Sequence, residues 1–347
     1  MLGDFPGEMS TASVIPVLDR LSRPLRDLRI SVTDRCNFRC TYCMPREVFG
    51  SRHQFLPKTQ VLTFEEIART VRVFAGLGVR KVRLTGGEPL LRAELPKLVR
   101  MIADVRGLDL ALTTNGSRLA SMASELAAAG LRRVTVSLDS LEPEVFRRMS
   151  DTDVPVEDVL AGIDAAVRAG LGPVKINAVV RRGVNEASVV PLARRFKGTG
   201  TVLRFIEFMD VGTTNRWDAT EVFSAREIVE RIDAEMPLEP QPRSQGDVAR
   251  RYRYRDGSGE IGVIASVTEP FCGGCTRARL SAEGRLYTCL FATEGLDLRA
   301  ILRSTTDDAG VREAVTAKWR ARDDRYSELR ASVNAPRSKI EMSYIGG

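Results

Sequence analysis

The chain has 347 residues, 43% of them apolar, and carries 52 basic against 45 acidic side chains, a formal charge of +7. Its length suits one large domain plus a smaller one, and no apolar run is long enough to cross a bilayer. Only seven of the basic residues are lysines, so the charge reflects an arginine bias; with no interleaving of aromatic and basic residues it does not point to nucleic acid.

Residues 1–25 carry no motif and are set apart as an N-terminal extension. Met1–Ser10 is polar, with no basic stretch leading into an apolar one, so a cytoplasmic protein is expected. Over 26–215 short β-branched runs alternate with amphipathic stretches. Strands are predicted near 28–33, 80–85, 109–114, 132–138, 174–180 and 201–209. Helices are predicted at Phe64–Leu77, Leu119–Ala129, Val156–Ala169 and Ala187–Phe196. Thr63 and Glu66 form a capping box, and Gly130 and Gly170 stand where helices should stop. Six strand–helix units predict parallel strands with right-handed crossovers, an α/β fold of the partial (β/α)6 TIM-like kind. Barrels of this type keep their chemistry at the carboxyl ends of the strands. Those ends carry Thr85–Pro89, Thr113–Gly116, Ser137–Asp139, Lys175 with Asn177, and Glu207–Asp210.

The pattern changes after residue 215. A helix at Ala225–Met236 leads into a polar loop, Gln241–Asp247, and strands at Arg251–Tyr254 and Ile261–Val267. A hairpin around Glu283 and Gly284 and helices at Leu296–Arg303 and Ala309–Arg322 follow. Residues 216–335 therefore read as a smaller α+β C-terminal domain. The tail is expected to be loop-like, with 336–347 ending in Gly346 and Gly347.

All six cysteines fall into two triplets, Cys36-x3-Cys40-x2-Cys43 and Cys272-x2-Cys275-x13-Cys289. Clustered cysteines in a reducing compartment are more often metal ligands or catalytic groups than disulfides. A cubane iron–sulfur cluster takes four thiolates, so a triplet leaves one iron open to substrate or cofactor. Zinc competes for the second triplet, because Cys272-x2-Cys275 is also half of a zinc-ribbon spacing. The single histidine, His53, lies far from it in sequence.

The loop holding Cys36, Cys40 and Cys43, with Tyr42 before the third cysteine, follows the first strand, and Thr85-Gly86-Gly87-Glu88-Pro89 follows the second. In this order the two motifs resemble the radical S-adenosylmethionine superfamily. The second triplet with Thr276, Arg277 and Arg279, the Arg204–Asp210 segment and the terminal Gly-Gly resemble, more narrowly, the molybdenum cofactor biosynthesis protein A family of GTP 3′,8-cyclases. That likeness runs from about Leu28 to Gly347 and implies two [4Fe–4S] clusters and S-adenosylmethionine as cofactors. It implies a radical-SAM partial barrel whose C-terminal domain carries the second cluster.

It further implies that Tyr42, Gly87, Ser137 and Met209 contact S-adenosylmethionine. Arg29, Lys81, Arg83, Thr114, Lys175, Arg204, Arg277 and Arg279 would hold GTP. Arg277, Arg279, Gly346 and Gly347 would act at the reacting centre. Barrel packing stays open as a role for Tyr42 and Met209, and turn capping for Thr114. A basic side chain on a strand needs a reason to point inward, and arginine forks match phosphate oxygens. Alternation along a strand puts Arg277 and Arg279 on one face. The resemblance implies an external reductant and a product passed to cyclic pyranopterin monophosphate synthase; no membrane or nucleic-acid partner is expected. A homodimer stays open. A radical-SAM enzyme acting on a peptide, and a non-enzymatic iron–sulfur protein, are the competing classes.

Overall fold

Five consecutive strands carry apolar residues at even positions and polar ones at odd positions, apart from Ala111, Thr114 and Val179, and this alternation decides how the sheet is covered. They are β1 (Asp27–Ser31), β2 (Lys81–Thr85), β3 (Asp109–Thr114), β4 (Arg133–Ser137) and β5 (Lys175–Val180). In β6 (Val202–Glu207) the parity is reversed. Leu28, Ile30, Val82, Leu84, Leu112, Val136, Ile176, Leu203 and Phe205 are all at most 1% exposed beneath the helices. Burying each such side chain contributes about 2 kcal/mol, which offsets the poor solvation of the polar inner face.

The computed structural model describes residues 16–244, 246–330 and 339–346. The helices covering the sheet are α1 (Phe64–Gly76), α2 (Leu95–Ala103), α3 (Leu119–Ala128), α4 (Pro143–Ser150), α5 (Val156–Arg168) and α6 (Val189–Phe196). The capping box at α1 is formed: the Thr63 hydroxyl accepts from the Glu66 amide at 3.1 Å, and the Glu66 carboxylate accepts from the Thr63 amide at 2.8 Å. Gly130 and Gly170 end α3 and α5 with φ of +102° and +75°, a conformation that favours glycine. None of the helices among the described residues is long and apolar enough to cross a membrane.

The six strands β1–β6 run parallel in sequence order, as the alternation predicts. After α7 (Ala225–Asp233) the chain adds β7 (Leu238–Pro240), β8 (Arg250–Tyr254), β9 (Glu260–Ile264), β10 (Arg277–Leu280), β11 (Arg285–Tyr287) and β12 (Leu296–Asp297). These strands enter the barrel sheet instead of forming a sheet of their own. β9 pairs parallel with β6 at one edge and β10 parallel with β1 at the other, giving twelve strands in one sheet. Strand β9 stops at Ile264 rather than Val267, because the Val267 and Thr268 amides turn to the buried Glu207 carboxylate at 2.8 and 3.0 Å. The last elements are α8 (Leu298–Ser304), α9 (Asp308–Arg320), α10 (Tyr326–Leu329) and α11 (Met342–Ile345). The expected helix at Leu296 begins at Leu298, since Leu296 and Asp297 pair with β11 and Asp297 caps the helix at the Ala300 amide. In the tail, expected to be loop-like, Met342–Ile345 forms one helical turn.

Candidate active site

The first cysteine triplet lies in the loop beyond the carboxyl end of β1, where the reversal of the chain is fixed by backbone contacts. The Cys43 and Met44 amides donate to the Cys40 carbonyl at 3.0 and 2.9 Å. Arg39 ties the loop together, donating to the carbonyls of Phe49, Cys36 and Phe38 at 2.6–2.8 Å. The Thr85–Pro89 segment is laid against this loop: the Gly87 amide donates to the Thr33 carbonyl at 2.8 Å and the Glu88 amide to the Arg35 carbonyl at 2.7 Å. A Cβ on Gly87 would overlap the Arg35 carbonyl, so only glycine permits this approach. Burial pushes the Cys36 thiol up to about 11, with help from Glu88. Burial and the neighbouring thiols also raise Cys40 and Cys43. Three half-buried thiols raised in this way cannot all ionise side by side without a multivalent cation, which is what an iron–sulfur cluster provides. The Cys36 sulfur accepts from the Phe38 amide at 3.4 Å, as a cluster thiolate would.

Tyr42, Gly87, Ser137 and Met209 line the cavity beside this loop. The Tyr42 hydroxyl donates to Asp139 at 2.8 Å; burial pushes the Asp139 carboxyl up to about 6. The Met209 sulfur accepts from the Ser266 hydroxyl at 3.6 Å. The Glu88 carboxylate is spoken for by Leu90, Thr114 and Asn115, and its burial raises it to about 7.

Behind the loop, the inner face of the sheet carries a layer of cations. Register aligns Arg29 with Arg83 and with Arg279, and Asp27 with Lys81 and with Arg277. Lys175 and Arg204 continue the layer on β5 and β6, and all seven basic residues line one cavity of about 450 Å³. They stand at the beginnings and middles of the strands, not on the carboxyl rim where the fold class alone would put them. Among the described residues, the one carboxylate in ion-pair range of any of the seven is Asp27, 3.9 Å from Lys81. The consequence is electrostatic. Burial first, then their mutual repulsion, lowers Lys175 to about 7, Lys81 to about 8 and Arg83 to about 9, and holds Arg29 and Arg279 well below the ordinary arginine value. Arg83 leans on the Thr113 and Thr135 hydroxyls at 2.8 and 2.9 Å. Arg204 Nε, Asn177 Oδ1 and Ser31 Oγ are buried with no partner. The unpartnered Arg204 and Ser31 donors and the crowded cations describe a site built for a polyanion.

Thr114 also lines the cavity, but its hydroxyl donates to Glu88 at 2.7 Å and accepts from the Gly116 amide at 3.0 Å, the turn-capping role left open above. The inward residue of β3 is Thr113. Ser31, Thr135 and Asp27 were not singled out from sequence, although counting in twos from Arg29 and Thr113 along and across the strands finds them.

The second triplet lies at the opposite end of the barrel. Cys275 is two residues ahead of Arg277, the partner of Asp27 at the start of β1, and Cys289 follows β11, which runs back in that direction. All three of its cysteines line the same cavity as the first triplet. Burial would push the Cys275 thiol up, but the Arg277 and Arg322 guanidiniums outweigh it and bring it down to about 6; Arg277 also donates to its sulfur at 3.2 Å. Cys289 is pushed up to about 12 by burial and the nearby Asp324 carboxylate, and its sulfur accepts from the Phe291 amide at 3.4 Å. Among the described residues, no three Cys, His, Asp or Glu side chains are close enough to hold a single metal ion.

The tail enters the barrel from the carboxyl end. Lys339 pairs with Asp210 at 2.6 Å, and Glu341 accepts from the Thr213 amide at 2.8 Å. Gly346 then reaches the inner face, its carbonyl accepting from Arg279 and its Cα set against Thr85 and Ser31. Gly347 lies outside the described residues.

Comparison with known proteins agrees with this architecture. Residues 30–196 match the radical SAM superfamily, and residues 201–328 match the molybdenum cofactor synthesis C family. A GTP 3′,8-cyclase of Acidothermus cellulolyticus is 57% identical, over 96% of this chain and 99% of its own length. One of Staphylococcus aureus is 46% identical, over 95% of this chain and 99% of its own. Among solved structures, Streptococcus suis SuiB bound to S-adenosylmethionine aligns with a TM-score of 0.60 at 15% identity, over 85% of this chain and 68% of that one, a likeness of fold. A radical-SAM core of parallel strands, a C-terminal region of the molybdenum cofactor type and near-full-length identity of this degree together mean that the chain belongs to the GTP 3′,8-cyclase family.

Proposed function

We propose that this chain cyclises GTP to (8S)-3′,8-cyclo-7,8-dihydroguanosine 5′-triphosphate, the first step of molybdenum cofactor biosynthesis. The observation that carries the reading is the layer of seven inward cations, almost without anionic partners, between two open cysteine triplets. Cys36, Cys40 and Cys43 would hold one [4Fe–4S] cluster and Cys272, Cys275 and Cys289 a second, their donor sets being three half-buried thiols each. Held by Cys36, Cys40 and Cys43, such a cluster would, with S-adenosylmethionine and an external electron, supply the chemistry of hydrogen abstraction by a 5′-deoxyadenosyl radical.

The protein's own groups do the rest. Arg29, Lys81, Arg83, Lys175 and Arg204 take the triphosphate, each offering a charge-assisted hydrogen bond in a site where little water competes. Anion binding removes the repulsion among them, so the energy stored by burying like charges is released on the substrate. Arg277, between the cation layer and Cys275, and Arg279, against the Gly346 carbonyl, fix the nucleoside end of the cavity. The Gly87 backbone, Tyr42, Ser137 and Met209 form the wall for S-adenosylmethionine at the first triplet. The tail closes the space between the two ends, which keeps a reactive carbon from solvent and holds the ribose in one pose; positioning of this kind accounts for a large share of a rate enhancement.

Chemistry of this sort requires reduced thiols, consistent with a cytoplasmic setting. The unstable product would pass to cyclic pyranopterin monophosphate synthase. Anaerobically reconstituted enzyme given dithionite, S-adenosylmethionine and GTP should form 5′-deoxyadenosine and the cyclised nucleotide in equal amounts. Formation of 5′-deoxyadenosine with GTP left unchanged would remove GTP as the substrate while sparing the barrel assignment.

A further inference from the structure

The segment ahead of the barrel carries no motif, yet it contributes a buried ion pair outside the cavity's cation layer. Asp19 and Arg23 lie in a short turn closed by a bridge between Leu18 and Pro24. Arg23 Nε donates to Asp19 Oδ2 at 2.6 Å, and their side chains are 2% and 0% exposed. Arg322, from the end of α9, shares the same carboxylate oxygen at 3.1 Å and is 1% exposed. Arg322 Nε also lies 3.4 Å from the Asp324 carboxylate, so two guanidiniums are matched by two aspartates, and their remaining N–H groups, buried as they are, need acceptors.

The second cysteine loop supplies such acceptors. Arg23 NH1 donates to the Cys272 carbonyl at 2.9 Å and to the Asp324 carbonyl at 2.8 Å. Arg322 NH1 donates to the Cys275 carbonyl at 2.8 Å. Each guanidinium thus grips the backbone of a different cysteine in the Cys272–Cys275 turn. The grip is itself supported: the Trp319 indole donates to the Arg23 carbonyl at 3.1 Å, and Arg322 lies 4.5 Å over the Trp319 ring.

We propose that Arg23 and Arg322, joined by Asp19, are positioning residues for the second cysteine triplet, and that this is the task of the segment before the barrel. They set the spacing of the Cys272 and Cys275 side chains through their peptide carbonyls. The inference rests on the reading of Cys272, Cys275 and Cys289 as cluster ligands.

The test uses the full-length, anaerobically reconstituted protein and the variants Arg23→Met, Arg23→Lys and Cys289→Ser. Cys289→Ser comes first: it should lose about half of an iron content near eight per chain. If it keeps all its iron, the cluster reading fails and this inference with it. If it loses half, Arg23→Met should show a second cluster that is depleted or altered in its electron paramagnetic resonance signal. Any cluster that remains should have a lower reduction potential, because a positive charge has been taken away. Binding of S-adenosylmethionine and its GTP-independent cleavage should stay within about twofold of the parent. Arg23→Lys, which keeps the charge next to Asp19 but cannot span both carbonyls, should retain its iron yet show a shifted signal. An unchanged signal and potential in both arginine variants, or loss of the two clusters in parallel, would overturn the proposal.

Discussion

The carbonyl of Gly346 accepts a hydrogen bond from the guanidinium of Arg279, deep inside the barrel. Arg279 is 3% exposed and stands in register with Arg29, so this one contact ties the end of the chain to the cation layer. The backbone of Gly346 has φ of +66°, and a Cβ there would overlap Thr85.

The tail is therefore expected to be indispensable and intolerant of any side chain. Deleting Gly346 and Gly347 should abolish cyclisation while leaving iron content at the parent level. Gly346→Ala should lower turnover by at least about a hundredfold, the scale on which misplacement of a reacting group is felt. Parallel iron analysis and product assays check this; normal turnover by the truncated chain would remove the tail from the mechanism.

Arg83 pairs with two threonine hydroxyls and no carboxylate, so its charge is free to serve the substrate. Arg83→Ala should weaken GTP binding by about 1.5–3 kcal/mol, the worth of a charge-assisted hydrogen bond, or roughly ten- to a hundredfold. The apo protein should be no less stable, because one source of repulsion has gone. Calorimetric titration with GTP and thermal melts of the apo form measure both.

Lys175 and Lys81 give the site a pH dependence of definite sign. In the free protein, burial and neighbouring cations lower them to about 7 and 8, so both are largely neutral by pH 9. The triphosphate favours their charged forms and raises both values. GTP binding at pH 8 should therefore take up protons, and affinity should fall as pH rises from 7 to 9. Titrations in buffers of different ionisation enthalpy count the protons; Lys175→Met should bind more weakly at pH 7 and take up fewer.

Gly87 lays the Thr85–Pro89 segment against the loop bearing Cys36. With a methyl group at this position the Arg35 carbonyl must move, and the loop bearing Cys36 moves with it. Gly87→Ala should lower S-adenosylmethionine affinity at least tenfold and deplete the first cluster, with the iron of the second retained. Iron content and equilibrium dialysis with S-adenosylmethionine distinguish this from general unfolding.

The barrel was legible because the strands alternate at most positions and helices such as α3 and α5 have a stop, at Gly130 and Gly170. The basic residues were legible for a related reason: Arg29, Lys81, Arg83, Lys175 and Arg204 occupy polar positions between apolar ones that must face the helices. Less visible was where the C-terminal strands go. Short strands such as Glu260–Ile264 and Arg277–Leu280 state that they will pair, but their partners, β6 and β1, are distant in sequence, and only the closed three-dimensional arrangement selects them. The same limit hid the segment before the barrel. Asp19 and Arg23 look like ordinary surface charges until Arg322, 303 positions from Asp19, folds against them. Thr113 and Thr114 illustrate a finer limit, since a one-residue change of parity decides which hydroxyl faces the cavity.

The central claim is that one cavity brings a radical source at Cys36, Cys40 and Cys43 within reach of the ribose of GTP. The most direct test is a single incubation with GTP carrying deuterium at the 3′ position. The account predicts 5′-deoxyadenosine containing one deuterium, and a cyclised nucleotide that has lost it. Unlabelled 5′-deoxyadenosine beside a cyclised product would contradict it.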